Sequence, residues 1–162
     1  MASVYRIAIS GHCGLPGPTA RLIDEAIRSA LAQHAPAVTG ISCMADGADQ
    51  IFARAVTDLG GVLEAVIPAA KYRAGLPDDA RQEYDELFAK ASEVLRLSFT
   101  ESMSESHMAA SKLRIDEADE LYAVWHGKPA RGYGGTADVV AYARRRGIPV
   151  RVIWPGGAQR DG

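Results

Sequence analysis

The chain has 162 residues, a mass of 17.3 kDa and a formal net charge of −2 at pH 7. This size suits one domain with a sizeable core, and the charge argues against broad electrostatic binding to nucleic acid or anionic membranes. Cys13 and Cys43 are too few for a disulfide framework or a four-cysteine zinc site. Because neither a signal-peptide pattern nor an apolar run of membrane-spanning length is present, we expect a cytoplasmic protein.

Predicted strands and helices alternate in the first half of the chain. Val4 to Ile9 is rich in β-forming residues, and the apolar residues from Ala20 to Leu31 recur at helical spacing. Pro68 is expected to end the third strand. The patterns predict strands over 4–9, 37–44 and 62–67, and helices over about 19–33, 50–59 and 79–91.

The second half continues the alternation. Strands are predicted over 93–99, 121–125 and 148–154, and helices over about 107–118 and 136–146. Thr136 stands where the N-cap of the last helix is expected. Residues 155–162 have the composition of a loose tail. The sequence therefore predicts one domain over 1–154, followed by a C-terminal tail over 155–162.

This alternation predicts an α/β, Rossmann-like fold with a mostly parallel sheet and helices on both faces. Three glycine-bearing loops follow predicted strands, at Ser10–Gly14, Ala45–Asp49 and Gly127–Thr136. In a parallel sheet all three emerge at the carboxyl edge, which is where such folds bind ligands. Their convergence predicts a pocket for a phosphate or a nucleotide.

The last of these loops has the features of an anion site. It joins an apolar strand to a helix start and contains Gly127, Gly132, Gly134 and Gly135. Bare backbone N–H groups and the positive end of a helix dipole favour a phosphate at such a position. An ordinary turn that uses glycine to bend is the alternative.

Several segments resemble, in order and spacing, the SLOG superfamily of Rossmann-like nucleotide-binding domains. Relatives in that superfamily include the DNA-processing protein A fold and the "lonely guy" phosphoribohydrolases. The resemblance covers about residues 4–154 and implies binding of a nucleotide or nucleotide-sugar, and a homodimer. The segments that carry it are I-A-I-S-G-H at 7–12, S-C-M-A-D-G-A-D-Q at 42–50, V-I-P-A-A-K-Y-R at 66–73, S-K-L-R-I-D-E-A-D-E-L-Y-A-V-W-H-G at 111–127, and G-G-T-A at 134–137.

The resemblance implies a phosphate at the G-G-T loop, with Gly11 contributed by the first loop and Asp46 by the second. Asp116 matches a position that faces the pocket. His12 is expected to donate to phosphate or transfer a proton, with simple packing as the alternative. The predicted ligand-binding residues are Ser10, Gly11, His12, Asp46, Gly47, Asp116, Gly127, Gly134, Gly135 and Thr136.

The chain departs from the phosphoribohydrolase pattern at both catalytic positions. Their motif P-G-G-x-G-T-x-x-E places its glutamate at Val139, and their catalytic arginine falls on Ala110. Asp138 is one residue early, and a helix turns about 100° per residue, so it points elsewhere. We therefore predict a ligand-binding module. The alternative is an N-glycosidase that releases the base from nucleoside 5′-monophosphates, with Asp138 as a weak catalytic candidate, and enzyme status stays open.

The remaining polar residues suggest no further chemistry. The four histidines lack metal-ligand spacing, so neither a metal site nor a cofactor is predicted. Asp49 is interpreted as a helix cap. Binding of DNA is disfavoured by the net charge and by the lack of a basic stripe.

Overall fold

Six strands and five α-helices alternate in the described part of the chain, residues 4–129 and 132–160 of a computed structural model. A short 3-10 helix over Arg73–Gly75 lies between the third strand and the third helix. The elements in order are β1 (Tyr5–Gly11), α1 (Gly17–Leu31), β2 (Val38–Ser42), α2 (Ala48–Asp58), β3 (Val62–Ala69), α3 (Asp78–Lys90), β4 (Glu93–Phe99), α4 (Ser104–Asp116), β5 (Glu120–Val124), α5 (Thr136–Arg145) and β6 (Val150–Val152).

The strands form one sheet in the order β4-β3-β2-β1-β5-β6, and every pair is parallel. The predicted α/β, Rossmann-like fold is therefore confirmed. The chain runs outward from β1 to β4 and then returns to place β5 on the other side of β1. This reversal opens a crevice at the carboxyl ends of β1 and β5, the position at which folds of this type bind ligands.

Helices cover both faces of the sheet. Helices α1 and α2 pack an apolar stripe against β1 and β5, with Ile23 and Ile27 from α1 and Phe52 from α2 fully buried. Helices α4 and α5 pack on each other and on β1 from the opposite side. The periodic apolar residues of α1 explain this arrangement, because they lie on one side of the helix. The crevice is thus fixed between two packed layers.

Several predicted boundaries differ from the observed ones by one to three residues, and two of the differences have a clear physical reason. β3 continues through Pro68 to Ala69, because the pairing with β4 shifts register there and the irregularity accommodates a residue with no N–H. The N-cap of α5 is Gly135, and Thr136 is the first residue of the helix. In place of a Thr136 cap, the carboxylate of Asp138 accepts a hydrogen bond from the backbone N–H of Gly134 at 2.9 Å.

The C-terminal segment is attached to the domain and is not a loose tail over its described residues, 155–160. The Thr19 hydroxyl donates to the carbonyl of Gln159 and accepts from its N–H, both at 2.8 Å. Gly157 packs near Leu22 of α1, the helix that also contains Thr19. This double hydrogen bond holds Arg160 beside the crevice. Among the described residues, no helix has the length and apolar character needed to cross a membrane.

Candidate functional site

The loops that follow β1, β2 and β5 meet around one cavity of about 450 Å³ at the carboxyl edge of the sheet. The loop after β3 and the first turns of α4 complete its walls. Its lining residues are Ser10, Gly11, His12, Cys13, Cys43, Ala45, Asp46, Asp49, Pro68, Tyr72, Gly75, Leu76, Ser102, Ser104, His107, Ser111, Arg114, Gly132, Tyr133, Gly134, Gly135, Thr136 and Arg160.

The loop after β1 brings backbone close to the cavity. A Cβ on Gly11 would lie 2.5 Å from Cβ of Ala48 and 2.7 Å from Cβ of Val124, so only glycine allows this approach. His12 is buried, its Nε2 accepts the N–H of His126 at 3.2 Å, and its ring meets that of Trp154 edge-on. This packing corresponds to the structural alternative for His12, although the residue also borders the cavity.

The loop after β2 supports the first loop from below. Asp46 accepts a hydrogen bond from the N–H of Gly14 at 3.1 Å, and Ala48 donates to the carbonyl of His12 at 3.2 Å. Gly47 has φ +85°, and a Cβ there would lie 2.5 Å from the carbonyl oxygen of His12. Asp46 therefore borders the cavity, whereas Gly47 lies beneath the loop and serves to let the two backbones touch.

The loop after β5 places Gly134, Gly135 and Thr136 on the cavity wall. Residues 130 and 131 of this loop lie outside the described residues. Gly134 has φ +86°, and a Cβ there would lie 3.1 Å from the carbonyl oxygen of Ser104. The start of α5 thus faces the cavity next to the start of α4. Its positive end is already approached by one negative group, the Asp138 carboxylate.

The floor of the cavity is an arginine that the sequence did not identify. Arg114 is 4% exposed and donates to the thiol sulfur of Cys43 and, at 3.1 Å, to the hydroxyl of Ser111. Its Nε is buried and has no hydrogen-bond partner within the described part of the chain. Burial raises the pKa of the Cys43 thiol to about 12, so this partner is neutral at pH 7.

A buried carboxyl group accompanies this arginine. Burial raises the pKa of Asp49 to about 6, and the charge of Arg114 and backbone hydrogen bonds from Ala45 and Cys43 oppose the shift. Asp49 is therefore more than the helix cap expected from its position. Together, Arg114 and Asp49 give the cavity one basic and one acidic group below its rim.

The structure does not bring Asp116 or Gly127 into the cavity. Asp116 ends α4 and lies about 200° around the helix from Arg114, so it faces away from the cavity. Its carboxylate accepts from the Tyr142 hydroxyl at 2.7 Å and pairs with Arg146 at 3.2 Å. Gly127 has φ +88° and open space around its Cα, which makes it a turn residue outside the lining.

One sequence signal marks the side of α4 that faces the cavity. Ser104, His107, Ser111 and Arg114 are spaced by three, four and three residues, which places them along one side of a helix. All four border the cavity, and Ser111 and Arg114 are buried. A buried polar stripe of this kind would have identified Arg114. Among the described residues, no group of three or more His, Cys, Asp or Glu is arranged to hold a metal ion.

Comparisons with known proteins find the same fold and no close relative. No protein-family model and no curated protein matches the chain. Solved structures that resemble it include DNA processing protein A from Helicobacter pylori, with a TM-score of 0.71 and 14% identity over 97% of this chain and 69% of that one; its title concerns binding of single-stranded DNA. DNA processing protein A from Streptococcus pneumoniae has a TM-score of 0.70 and 18% identity over 95% of this chain. The chain spans about half (51%) of that protein.

A third similar structure is the molybdenum cofactor binding protein from Rippkaea orientalis, with a TM-score of 0.61 and 12% identity over 94% of this chain and 77% of that one. At such identities the likeness shows the fold alone. The fold that the resemblance implies is therefore confirmed, and membership of the SLOG superfamily stays a prediction. Because one of these structures concerns single-stranded DNA and another a molybdenum cofactor, the ligand of this chain has to be argued from its own cavity.

Proposed function

We propose that this chain is a small binding module for a nucleotide or a nucleotide-derived phosphate ligand. The observation that carries the proposal is the convergence of three strand-end loops, the start of α5 and the buried Arg114 on one cavity. Helix starts, hydroxyl groups and guanidinium groups are the donors that proteins use for phosphate oxygens. The cavity volume of about 450 Å³ is typical of small-molecule sites.

The cavity lining offers a partner for each part of a nucleotide. Gly135 and Thr136 are assigned to phosphate through backbone N–H groups and the threonine hydroxyl. Asp46 and Asp49 are assigned to sugar hydroxyls, the role that acidic residues take in dinucleotide sites. Tyr133 borders the cavity and is 57% exposed, so its ring is available to stack on a base.

A small ligand suits this site better than a nucleic acid. The chain carries a net charge of −2, and two carboxylates line the cavity. A groove that follows a phosphate backbone needs many positive charges and shows a steep dependence on salt. Retention on single-stranded DNA that falls steeply as salt rises would favour the polymer instead.

A second candidate function is N-glycosidase activity on nucleoside 5′-monophosphates. Val139 is buried and Asp138 is engaged by Gly134, so neither provides the acid of the known phosphoribohydrolase pattern. The specific support comes from Asp49, because its raised pKa of about 6 leaves part of this carboxyl group protonated near neutral pH and able to donate that proton. In this reaction water attacks the anomeric carbon as the N-glycosidic bond breaks and its electron pair goes to the base. The base takes the proton of Asp49, and the attacking water returns one proton to the Asp49 carboxylate, which yields free base and ribose 5-phosphate.

The test incubates the pure protein with AMP, GMP, CMP, UMP, ADP-ribose and NAD, followed by chromatography with mass detection and by calorimetry. A matched variant, Gly135→Val, places a branched side chain on the cavity wall at a φ of −70°, which valine tolerates. Binding by the wild type and its loss in the variant would support the module. Release of free base would favour the enzyme. Absence of binding to all six compounds would overturn the nucleotide proposal.

The homodimer and the cytoplasmic location stay predictions. Sedimentation velocity at several concentrations tests the first. A second copy is expected to give a mass twice the 17.3 kDa of the chain.

A further inference from the structure

Arg114 presents an unusual charge balance on the floor of the cavity. Its hydrogen-bond partners among the described residues, the thiol of Cys43 and the hydroxyl of Ser111, are neutral groups. Its Nε is buried without a hydrogen-bond partner among the described residues. A buried cation held only by neutral groups is costly unless an opposite charge compensates it.

Asp49 compensates this charge only in part. Its negative charge favours the charged form of Arg114 through space. The carboxylate itself accepts backbone hydrogen bonds from Ala45 and Cys43, which direct it toward the β2 loop. Arg114 therefore keeps donor capacity that the rest of the described chain does not use.

The start of α5 differs in this respect. The Asp138 carboxylate accepts the N–H of Gly134 at 2.9 Å and places a negative charge in the first turn of the helix. A carboxylate at that position already interacts favourably with the helix dipole. A phosphate that approaches the start of α5 thus meets an anion of the protein, whereas one that approaches Arg114 meets a cation whose hydrogen-bond partners are neutral and whose charge Asp49 compensates only in part.

We propose that Arg114 is the main charge partner of the ligand's phosphate, with the hydroxyl of Ser111 beside it, and that the start of α5 contributes less. The inference rests on the proposed function, because it concerns the phosphate of a nucleotide in the same cavity. The chemical class that fits is a phosphate monoester. Its two negative charges and three terminal oxygens match a guanidinium fork with a hydroxyl group next to it.

The first experiment measures binding of inorganic phosphate, AMP and adenosine by calorimetry at constant ionic strength. Arg114→Gln removes the charge and keeps a polar side chain. Arg54→Gln is the matched control, because Arg54 is exposed, pairs with Glu83 and lies outside the lining of this cavity. We expect Arg114→Gln to lower the affinity for phosphate and for AMP by at least about tenfold. The affinity for adenosine is expected to stay within about twofold of the wild-type value. Arg54→Gln is expected to leave all three affinities unchanged.

A second measurement uses the unaltered protein, because a variant of a buried arginine can fail to fold. The Nε–H resonance of Arg114 is followed by ¹⁵N-resolved NMR during titration with inorganic phosphate. We expect this resonance to shift in step with binding, because the phosphate oxygens bind the guanidinium. Arg114→Lys, which keeps the charge and loses the fork, is expected to bind phosphate more weakly than the wild type and more tightly than Arg114→Gln.

The outcomes separate this inference from the proposed function. Wild-type affinity for phosphate in a folded Arg114→Gln variant, or an Nε–H resonance that phosphate does not move, would overturn the phosphate subsite even when nucleotides bind. AMP that binds no better than adenosine would overturn it as well. Phosphate binding that depends on Arg114, without binding of any nucleotide, would support the subsite and overturn the nucleotide proposal.

Discussion

The floor of the cavity and the start of α5 both present positive charge to the same ligand space, but the chain neutralises them differently. At the start of α5, Asp138 lies in the first turn and binds the N–H of Gly134. On the floor, the hydrogen bonds of Arg114 go to Cys43 and Ser111, and Asp49 acts through space. The glycine loop that resembles a phosphate site is therefore the better satisfied of the two regions.

The comparison shows that different residues determine the shape of the site and its charge. The glycines let backbone segments approach closely and shape the cavity. The charge that we propose selects the ligand, that of Arg114, is buried in α4, a helix that contains no glycine. A glycine-rich loop is thus a guide to where a site lies and a poorer guide to which group binds the phosphate.

The largest effect is expected from Gly11→Val, which disrupts the close approach of β1 to α2 and β5 on which the cavity of both regions is built. Its Cβ would overlap Ala48 of α2 and Val124 of β5, at 2.5 Å and 2.7 Å from their Cβ atoms. We expect the free energy of unfolding to fall by about 3 kcal/mol, as over-packing of a core typically costs. Urea denaturation measures the change. Gly156→Val is the control for space, because nothing lies within 4 Å of a Cβ at Gly156 and its φ is not positive. An equal loss in both variants would contradict this packing argument.

Asp49→Asn tests the acid–base pair of the floor. The pKa of Asp49 is about 6 in the folded protein and about 4 in an unfolded chain, so the folded state binds more protons between these values. This carboxyl group therefore lowers the free energy of unfolding as pH rises from 4 to 6, by up to about 3 kcal/mol. We expect Asp49→Asn and the wild type to be alike at pH 4 and the variant to be more stable at pH 7. Parallel stability curves across this range would show that the pKa of Asp49 is not raised.

The third prediction compares the thermal stability and AMP affinity of two variants in the same loop. The test variant is Gly134→Ala, and Gly127→Ala is its control. Both have positive φ, +86° and +88°, so both variants lose about 1 kcal/mol from backbone strain. The Gly134 variant alone places a methyl group 3.1 Å from the carbonyl oxygen of Ser104, between the starts of α4 and α5. We expect the Gly134 variant to unfold at a lower temperature than the Gly127 variant and to bind AMP more weakly. A ligand affinity equally reduced by both would contradict the placement of Gly127 outside the site.

Asp138→Asn is expected to have the smallest effect on stability and an informative effect on binding. Loss of a carboxylate from the first turn of α5 costs about 0.5 kcal/mol. It also removes the anion that competes with phosphate there, so the affinity for AMP is expected to rise by about twofold to fivefold. Calorimetry with AMP and adenosine measures this, with adenosine expected to stay constant. A fall in AMP affinity would show that Asp138 assists the ligand.

The fold could be predicted from the sequence because the apolar patterns that identify its strands and helices are local and recur along the chain. The apolar spacing of α1 and the alternation of strands and helices identify a parallel sheet, and β4 was predicted with its observed bounds. Pro68 was misjudged, because a register shift with a neighbouring strand depends on pairing that lies outside the local sequence.

The site could be predicted only in part, because some of its residues are placed by helix packing that the local sequence does not show. Loops at strand ends are brought together by topology, which explains why Ser10, Asp46 and Gly135 border one cavity as expected. Arg114 was missed because its burial depends on how α4 packs on the sheet. Asp116 was placed in the pocket by analogy with other proteins, whereas it lies about 200° around α4 from Arg114 and contacts Tyr142 and Arg146 instead.

The attachment of Gln159 to Thr19 has a practical consequence for protein engineering. It brings the chain to the mouth of the cavity at Arg160, whereas Tyr5 begins β1 at the opposite, amino edge of the sheet. A purification tag joined beyond Arg160 would start beside the opening, and one placed before Tyr5 would leave it clear. The position of Arg160, at the mouth of the cavity, suits an environment-sensitive fluorophore. Such a label would turn the domain into an optical sensor for the molecule it binds.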